Sequence, residues 1–163
     1  MWAAVAAQIG LLVYFELCVL VPLGSWNDQP GNVPASLGNI LLGVAIGAPQ
    51  LLLLVGTIWH IRPLLWLGLI GDSVWLVLHA SSMWWPYIVG ASPSYAQMYA
   101  RVFGRTTKLL PNFGNHLAPD AMHIFIDIFL VAVLVTLVRF MRSLRVQPAG
   151  AHDSSDQERS AHA

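Results

Sequence analysis

Four stretches of this chain are almost free of charge, and polar, basic or proline-rich segments separate them. A helix rises 1.5 Å per residue, so about 20 apolar residues cross a hydrocarbon layer of about 30 Å. The first stretch covers residues 2–23 and is interrupted by Gln8 and Glu16. No basic residue precedes it and residues 24–28 offer no small-residue cleavage site, so it is expected to be a retained helix and not a signal peptide. Pro30, Gly31, Asn32 and Pro34 then mark residues 24–37 as loop. The second stretch, 38–59, contains Gly43-x-x-x-Gly47, a spacing that lets helices pack closely, followed by Pro49, which predicts a kink.

Residues 60–63 make a tight connection to the third stretch, 64–85, which carries Asp72 and His79 and ends on Trp84, Trp85 and Tyr87. Those aromatic residues suit an interfacial belt. The fourth, 119–142, opens on Pro119 and on Asp120, whose charge complements a helix N-terminus, and it contains His123 and Asp127. Residues 146–163 read as a polar, disordered tail.

About thirty residues lie between the third and fourth stretches, more than a simple connection needs. Ser92-Pro93 has the form of a helix start, and Tyr95, Met98, Tyr99, Val102 and Phe103 then recur at helical spacing. Gln97, Arg101 and Lys108 fall opposite that stripe, with Arg105 at its border. This pattern predicts an amphipathic helix over 93–105 lying in the membrane interface. The fold class is therefore all-α: one polytopic unit of four transmembrane helices in a bundle, residues 1–145, plus one interfacial helix.

Composition agrees with this and narrows the function classes. The 163 residues are 56% hydrophobic and 10% charged, against about a quarter charged in soluble domains. Eight basic residues balance eight acidic ones, which gives no footprint for nucleic acid. The single cysteine, Cys18, excludes an intrachain disulfide and a thiolate-rich zinc site. With four spans, Arg62, Arg139, Arg142, Arg145 and Arg159 share one side, and Arg101, Arg105 and Lys108 the other. The positive-inside rule then predicts a multi-pass cell-membrane protein with both termini, and the tail, in the cytoplasm.

Ionisable groups inside a bilayer are costly and mark functional sites or buried pairs. Counted along their helices, Glu16, His79, His123 and Asp127 lie about 10, 8, 6 and 12 Å below the non-cytoplasmic ends, and Asp72 about 19 Å. Asp120, His123 and Asp127 share one helix face, as do Asp72 and His79. Glu16, His79, His123 and Asp127 are thus the candidate catalytic groups of one polar pocket in the non-cytoplasmic half. Asp72, Asp120, Arg101 and Arg105 are candidates for substrate binding.

Imidazole and carboxylate side by side suit acid–base chemistry, or a divalent metal held by His79, His123 and Asp127. The cofactor is otherwise unknown. Asp120-x-x-His123 resembles half of the Glu-x-x-His element of dimetal carboxylate bundles, whose second copy this chain lacks. No HExxH, GxSxG or Walker pattern is present. The expected partners are the lipid bilayer, a lipid or small amphipathic ligand, and a second copy of the chain. Two other classes stay open. Glu16, a lone acid in the first of four helices, resembles the proton-coupling residue of small multidrug exporters, although the long third loop departs from them. In a non-catalytic subunit or assembly factor, the polar cluster would only lock helix register.

Overall fold

The computed structural model describes residues 1–29 and 36–146. The expected disordered tail, beyond Val146, lies outside the described residues, as do Pro30, Gly31, Asn32 and Pro34. Among the described residues, five α-helices follow in order: α1 (Trp2–Leu20), α2 (Leu37–Ile58), α3 (Arg62–Ile88), α4 (Pro93–Phe103) and α5 (Ala121–Val146). Four of them, all but α4, are long and apolar enough to cross a membrane.

Local chemistry sets the helix ends. Helix α1 stops at Leu20, short of residue 23, because Pro22 forces Val21 into extended backbone (φ −115°, ψ 133°). Asn27 fastens that end: its Nδ2 donates to the carbonyls of Cys18 (2.8 Å) and Val21 (2.7 Å), and its Oδ1 accepts from the Leu23 amide at 2.8 Å. Helix α2 starts on a Ser36 cap and runs unbroken through Pro49. It ends in a Schellman-type turn, in which His60 takes a left-handed φ of 57° and the Ile61 amide donates to the Gly56 carbonyl at 2.8 Å. A Cβ on Gly56 would stand 2.6 Å from the Cβ of Leu64, so α3 approaches closely only because this residue is glycine.

Helix α3 runs through Pro86 to Ile88, beyond the expected end at residue 85. A proline within a helix deprives the carbonyl four residues earlier of its donor, here Ser82. The Tyr95 hydroxyl of α4 supplies the missing hydrogen bond to Ser82 O at 2.7 Å. Helix α5 begins at Ala121, two residues later than expected, with Asp120 as its N-cap: Asp120 Oδ1 accepts from the His123 amide at 3.0 Å.

The long helices form a ring in which α1 packs on α2 and α5, and α3 packs on the same two. Leu11, Leu53, Leu65, Leu130, Val133 and Leu137 fill the centre with almost no exposure. Across the α1–α3 diagonal, the rings of Phe15 and Trp75 meet edge to face at 5.6 Å. A buried polar clasp joins α1 to α2, where Gln8 Nε2 donates to Thr57 Oγ1 at 2.9 Å. Leu37, Leu67, Val77 and Leu78 point outward and are exposed, the inside-out surface expected of a protein solvated by lipid tails.

Helix α4 covers the end of the bundle where α3 finishes and α5 begins. Its stripe is turned partly onto protein: Tyr99 and Phe103 are buried, while Met98 is exposed. An amphipathic pattern demands an apolar surface without saying whether lipid or protein provides it. Lys108 does not project away from the stripe as expected. Its Nζ lies 4.8 Å from the centre of the Tyr99 ring and donates to Phe103 O and Thr106 Oγ1, both at 2.9 Å.

Candidate functional site

His79 of α3 and Asp127 of α5 meet across the α3–α5 seam, with His79 Nδ1 2.6 Å from Asp127 Oδ1. The second oxygen, Oδ2, accepts from Trp84 Nε1 at 2.7 Å. One carboxylate thus gathers two donors from α3. Four residues before Asp127 on the same helix, His123 Nδ1 lies 2.6 Å from Asp120 Oδ1. Asp120 Oδ2 accepts from Thr106 Oγ1 at 3.2 Å, and the Asp120 side chain is fully buried. The two imidazoles stack with centroids 5.1 Å apart and planes inclined by 25°. Phe103 of α4 meets His123 with the two rings nearly perpendicular and centroids 5.1 Å apart.

The Nδ1 atom of each ring is thereby committed to a carboxylate, which leaves Nε2 as the ring nitrogen open to a further partner. Neither Nε2 has a hydrogen-bond partner among the described residues. Both rings line a cavity of about 410 Å³, walled by Phe15, Cys18 and Val19 of α1, Asn39 and Leu42 of α2, Trp75 of α3, and Met122 and Ile126 of α5. Gln29 contributes a further polar group at its edge. The carboxylates themselves are not part of the lining. They sit behind the histidines and hold them.

Beyond the start of α5, Asp120 and Lys108 share an enclosed polar cluster. Burial pushes the Asp120 carboxyl up, but the hydrogen bonds and charge of His123, together with the Lys108 charge, outweigh this and hold it below its ordinary 3.8. Burial lowers the Lys108 ammonium, and Asp120 opposes that shift. Burial likewise raises the Tyr99 hydroxyl, which therefore remains a donor, bonded to the Ala118 carbonyl. A carboxyl depressed in the folded state stabilises the fold above the unfolded value, and that contribution disappears as pH falls through the folded value. The stability difference between wild type and Asp120→Asn is accordingly expected to stay constant near neutrality and to shrink below about pH 4, as followed by unfolding in mixed micelles. A difference that grows on acidification would contradict the assignment.

Three of the four candidate catalytic residues thus come together: His79, His123 and Asp127. Glu16 does not join them. Its carboxylate lies over α2, where Cβ atoms built on Gly43 and Gly47 would stand 2.6 and 2.7 Å from its oxygens. The Gly43-x-x-x-Gly47 step is the seat of that side chain, and the groove containing it lies on the α1–α2 flank, away from the histidines. Of the substrate-binding candidates, Asp120 acts on His123 and stands clear of the cavity wall. Asp72 pairs with Gln50 in a separate cleft, Arg101 is exposed, and Arg105 makes an exposed ion pair with Asp28 at 2.7 Å. Among the described residues, no group of three His, Cys, Asp or Glu side chains is placed to hold a metal ion. Both Nδ1 atoms and both Asp127 oxygens are already occupied by hydrogen bonds.

Trp84 is the contributor that the sequence pattern assigned only to an aromatic belt. Its neighbour Trp85 is 63% exposed and does face outward. Adjacent helix positions differ by about 100°, so an indole pair at a helix end is expected to present one ring inward. Phe103 and Thr106, which back the His123 dyad, carry no comparable signal.

These features define an all-helical protein that has, among the described residues, four helices long and apolar enough to cross a membrane and two stacked Asp–His dyads whose histidines line one cavity. No family model matches the chain, and neither a curated protein nor a solved structure does.

Proposed function

We propose that the chain is a multi-pass cell-membrane protein whose dyad cavity binds a lipid or small amphipathic ligand and performs acid–base chemistry on it. The observation that carries this reading is that two stacked imidazoles, each with Nδ1 held by its own buried carboxylate, line one cavity. A neutral imidazole whose Nδ1–H is held by a carboxylate is a base at Nε2, and after taking up a proton it is an acid there. With one ring protonated at Nε2 and the other bare there, the first donates a proton to the bound molecule while the second accepts one from it. The apolar walls Phe15, Val19, Leu42 and Ile126 suit the tail of an amphipathic molecule, and Asn39 and Gln29 its head.

Glu16, on which the transporter alternative rests, is seated over Gly43 and Gly47 of α2 and does not line the dyad cavity. In the proposed orientation both termini are cytoplasmic and the cavity lies in the non-cytoplasmic half. Reporter fusions after Arg62 should then be cytoplasmic and fusions at Tyr95 external, and the same signal from both would refute that topology. The function is tested by native mass spectrometry of protein extracted gently from membranes. A molecule retained by wild type and lost from both His79→Ala and His123→Ala supports the reading. Equal retention by all three proteins rejects it.

A further inference from the structure

A second cavity, of about 550 Å³, opens between α2 and α3 on the side of Trp75 away from the dyads. Its walls are Ala45, Ile46, Leu52, Leu53, Leu64 and Leu67, and its polar groups are Gln50 and Asp72. Both polar residues are more than nine-tenths buried, with relative exposures of 5% and 3%. Gln50 Nε2 donates to Asp72 Oδ1 at 2.5 Å. The two remaining oxygens, Gln50 Oε1 and Asp72 Oδ2, have no hydrogen-bond partner. Pro49 adds to the imbalance, because it has no N–H to give the carbonyl of Ala45. Among the described residues, no donor reaches the two remaining buried oxygens of the cleft.

Charge is unbalanced in the same way. No Lys, Arg or His among the described residues pairs with Asp72. Asp72 lies ten residues into α3, about 15 Å from its start, which is close to the middle of a bilayer core. A carboxylate there is stabilised by a cation that also donates hydrogen bonds. Leu52 and Leu67 on the rim are 56% and 67% exposed, so access is from the lipid side. The volume is that of an ordinary small-molecule site.

We propose that this cleft binds a hydrophobic amine in its protonated form, the ammonium bridging Asp72 Oδ2 and Gln50 Oε1 and the hydrocarbon part lying along Ile46, Leu53 and Leu67. This site is independent of the dyad reading and stands or falls separately. A primary ammonium has donors enough for both orphan oxygens and cancels the carboxylate charge. An alcohol of the same length could donate once and would leave the charge.

The test is equilibrium binding of radiolabelled decylamine and decanol to the full chain in phosphatidylcholine nanodiscs, with empty nanodiscs as background. The amine should bind saturably, and Asp72→Asn should weaken it tenfold or more. Gly71 lines the cleft and a Cβ built on it meets nothing within 4 Å, so Gly71→Leu fills the space while keeping the carboxylate. That variant should abolish saturable binding with an unchanged unfolding temperature, which covers the case of an Asp72→Asn protein that does not fold. Unsaturable amine binding, equal binding of decanol, or undiminished binding by Gly71→Leu would each overturn the proposal. So would an infrared band of protonated carboxyl that is lost in Asp72→Asn and unmoved by the amine, because Asp72 would then be closed on Gln50 as a neutral acid–amide pair.

Discussion

Asp127→Ala is expected to be the most destabilising single substitution in the chain, at about 3–5 kcal/mol, the cost of removing one partner from a buried charged pair. Two donors depend on that carboxylate, His79 Nδ1 at 2.6 Å and Trp84 Nε1 at 2.7 Å, and both bonds are part-buried in the α3–α5 seam. The His79 and Asp127 side chains are only 13% and 12% exposed, so solvent replaces the lost acceptor only in part. Asp127→Asn keeps the volume and one acceptor oxygen, and should cost less, about 1–3 kcal/mol. Reversible unfolding in mixed micelles measures both. An alanine variant within about 1 kcal/mol of wild type would mean that the dyad does not hold the helices together.

The second large effect concerns chemistry. His79→Ala and His123→Ala should each reduce turnover of the bound molecule by about 10²–10⁴-fold, the usual contribution of a general acid or base. A structural lock predicts loss of stability instead, so the two roles need separating. Replacing His79, Trp84 and Asp127 together by Leu, Phe and Leu removes every member of that network and leaves no buried partner uncompensated. Under the proposed function this variant folds with near wild-type stability and is inactive. If it is stable and retains the cellular phenotype, the dyad is a lock only.

The four long helices were legible because about 20 apolar residues in a row have one solution in lipid, with every backbone group bonded inside its own helix. The meeting of His79, His123 and Asp127 was legible too, since their spacing puts them on single helix faces and isolated charge is costly. The depths behind that inference were less exact. Helix α3 passes through Pro86 to Ile88, which puts His79 about 14 Å from its end, where the end expected near residue 85 gave about 8 Å. The continuation depends on Tyr95, thirteen residues away from Ser82, filling the vacancy that Pro86 creates. Nothing local to Pro86 reveals that partner.

Glu16 shows the limit of depth as a guide. It is one residue from Phe15, whose ring faces the dyad cavity, and about 100° of helix rotation separates the two. A lone ionisable residue has no companion on its helix to fix its facing. The Gly43 and Gly47 seat was visible as a spacing, but which side chain would occupy it depended on how α1 and α2 are rotated. Asp120 was placed correctly for a helix N-terminus, and its capping of His123 follows from its position three residues before that histidine.

The proposed chemistry takes place at the two Nε2 atoms, and nitrogen spectroscopy reports on them directly. In protein labelled with 15N at histidine, reconstituted in lipid and assigned with His79→Gln and His123→Gln, both rings should carry their proton on Nδ1 and show a bare Nε2. Addition of the copurifying molecule should move the Nε2 resonances more than those of Nδ1. Protons found on Nε2 of both rings, or Nε2 signals that do not respond to that molecule, would contradict the account.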